Sequence, residues 1–387
     1  MQIYQPKRSW DPIVTYWNGV YFLYCLETSQ EGPPFWLKKN HIHLYKSPNL
    51  KSWIDCGPVL FPKDDQEILC AGSIILKGPY LFYFYSVATL IKLDKNTPRE
   101  KCLADQELRL ARSTDGIHFE NCDDFYLPPD PLLYPSGRQH PVEKRSLYAW
   151  RDPYVLYCDS TQKYYIYIVT GGGLWKNSPT IAVARSENLE GPYTLLAPAL
   201  KVANFKGLSS SFCGELEKID IKYLNGTYYL FGSAWHQGIT PEFKSFLKSK
   251  KLPISNYNTY VFRSNHPEGP FELFTENPII KYRHSWIYPG IYGKYFYEDS
   301  DGSILVCGWQ PPLFRMWVEK SLKLTFNKRQ ELFILNYDLK VGLEALLNHG
   351  FNTRLGKFLH RLNRYLKIQG GNIILDLFVK FNKKFKI

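Results

Sequence analysis

Trp150-Arg151-Asp152-Pro153 is followed by Tyr154-Val155-Leu156-Tyr157, a polar turn at Asp159-Ser160-Thr161-Gln162, and Tyr164-Tyr165-Ile166-Tyr167. Two aromatic and β-branched runs around a short polar turn predict a β-hairpin with an acid at its mouth. The pattern recurs twice. Trp10-Asp11-Pro12 leads into Ile13-Val14, Asn18-Gly19 and Val20-Tyr21-Phe22-Leu23-Tyr24, and Gly214-Glu215-Leu216-Glu217-Lys218 leads into Ile219-Asp220-Ile221, Asn225-Gly226 and Tyr228-Tyr229-Leu230-Phe231. Three hairpins that each deliver a carboxylate converge only around a common axis, which is the geometry of a β-propeller. Carboxylates gathered there suit glycosidic chemistry.

A longer repeat supports this fold. Leu44-Tyr45-Lys46-Ser47, Leu110-Ala111-Arg112-Ser113, Val183-Ala184-Arg185-Ser186 and Val261-Phe262-Arg263-Ser264 each precede a turn and an aromatic residue: Trp53, Phe119, Tyr193 and Phe271. Ala71-Gly72-Ser73-Ile74-Ile75-Leu76 and Tyr288-Pro289-Gly290-Ile291-Tyr292 supply two further openings. Five openings imply five blades of about four strands each. The predicted fold is therefore all-β, a five-bladed β-propeller over residues 1–339; a two-sheet sandwich shares the short strands but not the five matching openings. Lys92 to Gln106, Pro128 to Arg145 and Thr240 to Asn256 read as long polar connections that wall one face. Beyond residue 340, apolar residues fall at helical spacing (Leu347, Phe351, Leu355, Phe358, Leu362, Leu366), which predicts a short helical tail over 340–387.

The 387 residues carry a formal charge of +12, and nine Lys or Arg against one acid lie from residue 345 onward. That tail suits peripheral contact with an anionic membrane, or equally a helix packed on the blades with a solvated basic face. Elsewhere the charge is mixed and no nucleic-acid motif occurs, so no nucleic-acid partner is expected. The eight cysteines are scattered singly, without the paired spacing that offers two thiolates to one zinc ion, and no metal is expected. No apolar run has signal-peptide or membrane-spanning length, so a reduced, cytoplasmic protein is expected.

Pro12 and Pro153 push the residues before them out of the right-handed helical region, so Asp11 and Asp152 are expected extended, at the start of inner strands. Each acid also has an ordinary reading: Asp-Pro begins many strands, Arg151-Asp152 can be a simple ion pair, and Glu215 and Glu217 can alternate on a solvated face. Their recurrence at matching positions favours a shared site. Carboxylates so close cannot all ionise comfortably, so at least one pKa is expected to rise toward neutrality.

These motifs resemble those of the five-bladed propeller glycoside hydrolases, the levansucrase family 68, the invertase family 32 and, more distantly, family 43. Trp10-Asp11-Pro12 resembles their nucleophile motif, Ala71-Gly72-Ser73 a blade-two motif, and Arg151-Asp152-Pro153 their Arg-Asp-Pro motif. Glu215-Leu216-Glu217-Lys218, running on to Asn225-Gly226-Thr227-Tyr228-Tyr229-Leu230-Phe231, is similar to the levansucrase acid/base strand and its hairpin. Trp10 and Ile13 depart from the asparagines that flank the invertase nucleophile.

The resemblance implies a retaining reaction on a furanosyl unit, β-fructofuranosyl in the first instance. In it Asp11 is the nucleophile, Glu217 the acid/base and Asp152 the stabiliser of the oxocarbenium-like transition state. Trp10, Ser73, Trp150, Arg151, Glu215, Trp235 and His236 are the expected substrate contacts; the partners are a carbohydrate donor and acceptor, and no cofactor is needed. With a cytoplasmic location, transfer to an acceptor in glycan assembly fits better than hydrolysis. Two alternatives stand beside this: an inverting family 43-like arabinofuranosidase or xylosidase, with carboxylates about 6.5–9.5 Å apart rather than about 5–5.5 Å, and a non-catalytic sugar-binding propeller.

Overall fold

The structure, a computed structural model, describes residues 8–30, 35–94, 96–134, 136, 138–171, 179–201, 216–235, 239–250, 257–274, 281–282, 292–310, 315–326 and 332–336. The helical tail expected over 340–387 lies outside the described residues. Blade one is β1 (Arg8–Trp17), β2 (Val20–Thr28), β3 (His41–Ser47) and β4 (Ile54–Leu60). Blade two is β5 (Glu67–Lys77), β6 (Tyr80–Ile91), β7 (Leu103–Ser113) and β8 (Glu120–Asn121). A small ribbon, β9 (Arg138–Gln139) with β10 (Ser146–Leu147), precedes blade three. That blade holds β11 (Trp150–Cys158), β12 (Lys163–Gly171), β13 (Pro179–Ser186), β14 (Thr194–Leu195) and β15 (Leu200–Lys201). Blade four is β16 (Glu217–Leu224), β17 (Thr227–Trp235), β18 (Tyr257–Ser264) and β19 (Glu272–Leu273). Blade five is β20 (Lys281–Tyr282), β21 (Tyr292–Glu298), β22 (Ile304–Gln310), β23 (Arg315–Phe326) and β24 (Leu332–Asn336), with β20 parallel to β24 at the outer edge.

β1 packs on β5, β5 on β11, β11 on β16, β16 on β21, and β21 on β1. These five strands are therefore the inner strands of a closed five-bladed ring. One apolar cluster runs through every blade, with Ile13, Leu23, Leu81, Val183, Leu230 and Leu305 all wholly buried. Each such side chain contributes about 1.5–3 kcal/mol of transfer free energy, so the ring is held mainly by burial between blades.

The repeated serine has a local cause. Ser47, Ser113, Ser186 and Ser264 each accept a hydrogen bond from the backbone N–H two residues on, at 3.2, 3.3, 3.1 and 3.1 Å. Each thus starts the turn from the third to the fourth strand. Trp53, Phe119, Tyr193 and Phe271, one residue ahead of each fourth strand, pack against the core and anchor those short outer strands. Asn18-Gly19 and Asn225-Gly226 take φ of 49 and 81° in both hairpins, the left-handed pair that a tight two-residue turn requires.

Thr240 to Asn256 differs from its reading as a plain polar loop, because its first part forms helix α1 (Pro241–Ser249). Thr240 caps it by accepting from Phe243 N, Pro241 opens it, and Phe243 and Leu247, four residues apart, bury its inner face. The fifth opening begins at Tyr292; residues 288–291 lie outside the described residues. No helix among the described residues is long and apolar enough to cross a membrane.

Candidate active site

Every inner strand breaks its ladder at the same place. The register slips between Trp10 and Ile13, Leu69 and Gly72, Arg151 and Tyr154, Glu217 and Asp220, and Tyr292 and Tyr295. Each slip leaves two unpaired residues, a β-bulge that re-aims one side chain. The first bulge residue is Asp11, Cys70, Asp152, Lys218 or Gly293, and four of these have positive φ: 51, 53, 50 and 56° for Asp11, Asp152, Lys218 and Gly293. The second is Pro in blades one and three, where an unpaired position needs no N–H donor.

Two expectations are corrected by these bulges. Asp11 and Asp152 are not extended at strand starts; they lie inside β1 and β11 in the left-handed region, which Asp tolerates better than most residues. Glu217 is not at their repeat position either, since it precedes the bulge, level with Trp10 and Arg151, and Lys218 takes the bulge position.

Two of the three acids, Asp152 and Glu217, are nevertheless linked through Arg151, and Asp11 is held by blade five. Lys218 N donates to Asp152 Oδ2 at 2.9 Å, and Asp152 N donates to Ser86 Oγ at 3.1 Å. Arg151 lies between two acids, with Nη2 3.4 Å from Glu217 Oε1 and Nε 3.9 Å from Asp152 Oδ2. Tyr292 OH donates to Glu217 Oε2. Trp309 Nε1 donates to Asp11 Oδ1 at 3.0 Å, and a Cβ on Gly293 would stand 2.7 Å from that oxygen. Only glycine leaves room there for the carboxylate and the indole together.

Burial pushes the Asp11 carboxyl up to about 6, with Asp152 adding to the rise, while Lys218, the Trp309 hydrogen bond and Arg151 hold it down. The expected rise thus falls on Asp11, in the bulge of blade one. Glu217 sits differently, partly exposed and paired with Arg151 and Tyr292. Lys218 is buried, and its Nζ donates to Gly72 O at 3.3 Å. Burial, with a contribution from Asp152, pushes the Cys70 thiol up to about 12, so it stays neutral beside the acids.

The expected sugar contacts divide. Arg151 joins the acids. Ser73 is fully buried and accepts from Val155 N at 3.1 Å, so its hydroxyl ties β5 to β11 rather than facing a pocket. Trp150 is also buried, donates Nε1 to Leu127 O at 2.9 Å and meets Tyr134 edge to face. It lines, with Arg109, Tyr126 and Tyr148, a cleft of about 420 Å³ to which none of the three acids contributes. Trp10 is buried in the main core. Trp235 ends β17 opposite Tyr257, and its side chain, like Glu215 and His236, lies outside the described residues. Sequence reasoning passed over Lys218, Tyr292, Gly293 and Trp309. Only the adjacency of Lys218 to Glu217, and of Gly293 to the fifth opening, could have drawn notice.

The fold so described is a five-bladed β-propeller, and it is similar to that of solved glycoside hydrolases. Among solved structures, the inulosucrase from Halalkalicoccus jeotgali bound to kestose superposes with a TM-score of 0.62 at 16% identity, over 86% of this chain and 88% of that one. Bacillus subtilis levansucrase gives 0.61 at 12%, over 86% and 87%. The family-32 β-fructofuranosidase of Bombyx mori gives 0.59 at 17%, over 87% of this chain and 64% of that one, so the chain spans less than two thirds of that enzyme. No protein-family model and no curated protein matches the sequence.

Proposed function

We propose that this chain is a carbohydrate-active enzyme that moves a furanosyl unit, β-fructofuranosyl in the first instance, by a retaining double displacement. The observation that carries this reading is that Asp11, Asp152 and Glu217 all stand at or beside the bulges of inner strands of one closed ring, with Arg151 bridging Asp152 and Glu217. The Asp11 carboxylate attacks the anomeric carbon as the bond to the departing oxygen breaks, and Glu217 gives that oxygen its proton. Water or an acceptor hydroxyl then displaces Asp11 and returns a proton to Glu217. Asp152, held by Lys218 N, accepts from sugar hydroxyls and steadies positive charge at the anomeric carbon. Arg151 spans two of the acids and offsets their mutual repulsion.

The solved relatives support a fructofuranosyl donor, since they include a β-fructofuranosidase, a levansucrase and an inulosucrase holding kestose. Transfer to a sugar acceptor is the favoured second half-reaction, in the cytoplasm, with the basic tail as a contact to an anionic surface. The test is product release from sucrose, kestose and arabinofuranosides by the wild type and Asp11→Asn, with the anomer of the nascent product read by NMR. Retention of configuration, lost in the variant, supports the reading; inversion, or product from Asp11→Asn at the wild-type rate, overturns it.

A further inference from the structure

At the outer edge of the strand pairs that open blade one, six side chains meet on one sheet face. Ser9 of β1 stands opposite Glu27 of β2, Glu27 opposite His41 of β3, and His43 and Tyr45 follow at alternate positions of β3. Asp55 reaches in from β4. The Glu27 side chain is 1% exposed. Its Oε2 accepts from Ser9 Oγ at 3.0 Å and Tyr45 OH at 3.2 Å, which turns Oε1 toward the imidazoles. Oε1 lies 3.1 Å from His43 Nδ1 and 3.5 Å from His41 Nε2, and the two nitrogens lie 3.3 Å apart. His43 Nε2 is 2.6 Å from Asp55 Oδ1, so a proton belongs on Nε2 and the Nδ1 lone pair faces the other two donors.

We propose that His41 Nε2, His43 Nδ1 and Glu27 Oε1 form a binding site for a divalent transition metal of the zinc class, with Asp55 as the outer carboxylate that sets the His43 tautomer. Zinc bonds to nitrogen and carboxylate oxygen are about 2.0–2.1 Å, so two ligands of a tetrahedral ion lie about 3.3–3.4 Å apart. The three measured separations, 3.1, 3.3 and 3.5 Å, straddle that value. An octahedral magnesium ion, with bonds of about 2.0–2.1 Å, sets neighbouring ligands only about 2.9 Å apart and prefers oxygen donors. Two histidines and one carboxylate leave the fourth position to water or a substrate oxygen, on the side where the His41 side chain is 19% exposed.

Hydrogen bonds from His41 Nε2 to His43 Nδ1 or to Glu27 Oε1 account for these contacts pairwise. A single cation at the centre accounts for all three separations. None of the three ligands is one of the axial acids, and the proposal does not depend on their proposed chemistry.

The test is metal binding by the tag-free full chain after removal of adventitious ions with a chelator. Zinc is followed by calorimetry, and cobalt(II) by its visible absorption. The expected result is one equivalent bound with the spectrum of a four-coordinate cobalt ion. His41→Ala, at the partly exposed ligand, should weaken binding at least 100-fold, and Asp55→Asn about 10- to 100-fold. Circular dichroism of each variant verifies that the fold persists. No stoichiometric binding by the wild type overturns the proposal, as does equal binding by wild type and His41→Ala.

Discussion

Asp11 places a carboxyl with a folded-state pKa of about 6 against a value of 3.8 for the free side chain. The fold therefore holds this proton more tightly than the unfolded chain does. Below pH 3.8 both states are protonated and the group costs nothing; between 3.8 and 6 stability declines as pH rises; above 6 the whole penalty is present, about 3 kcal/mol. Asp11→Asn, which tolerates the same backbone and can still accept from Trp309, should thus abolish turnover yet stabilise the protein at pH 7.5. Urea melts at pH 7.5 and pH 5 check this: the gain should shrink at the lower pH, and a variant less stable at both would contradict it. In its proposed role as nucleophile Asp11 must be ionised, so kcat/KM should fall as pH drops through about 6. Trp309→Phe removes a donor to the carboxylate and should move that acid limb upward, by about one pH unit. A limb that stays in place would remove Trp309 from the account.

The bulged inner strand is the element that makes the site. Gly293→Ala puts a methyl group 2.7 Å from Asp11 Oδ1 at a positive φ, so it should cost both stability and turnover. Gly72→Ala is harsher, since its Cβ would stand 1.8 Å from the Phe84 backbone oxygen; the expected outcome is failure to accumulate folded protein, seen as loss of soluble expression. Thr240→Ala removes the cap of α1 and should cost about 1 kcal/mol in a denaturant melt.

What was legible among these elements was whatever rests on local chemistry. The Asn-Gly turns and the repeated serines act within two or three residues of themselves. The bulges were not legible, because the proline rule excludes only right-handed helix before Pro12 and Pro153 and is silent on which other conformation the sheet imposes. Matching acids to acids then misaligned Glu217 with Asp11 and hid Lys218. Helix α1 was hidden inside a stretch read by its length and polarity, although Thr240-Pro241 is a helix start. The pairing of His41 with His43 rests on strand alternation, which brings every second residue to one face and carries no spacing of the kind paired cysteines show.

Across the whole molecule, each seam between blades carries a polar tie as well as apolar packing. Tyr24 OH donates to Gly116 O at 2.7 Å between blades one and two, and Val155 N to Ser73 Oγ between two and three. Tyr167 OH donates to Pro267 O at 2.6 Å between three and four, and Phe296 N to Asp220 Oδ2 at 2.7 Å between four and five. Tyr21 OH donates to Asp299, and with Trp309 and Asp11 it closes blade five on blade one. The closing seam therefore also positions Asp11. Its order, like the five-blade count, was readable from the repeat; the individual ties were not, because their partners lie far apart in the chain.

The central claim is that Asp11 becomes covalently bonded to the sugar. It is tested most directly by acid-quenching the enzyme during turnover of sucrose or kestose, digesting it, and weighing the peptide that contains Asp11. The account predicts one glycosyl residue on that peptide, located at Asp11 by fragmentation and missing from Asp11→Asn. Steady turnover with that peptide unmodified, and product of inverted configuration, would contradict it.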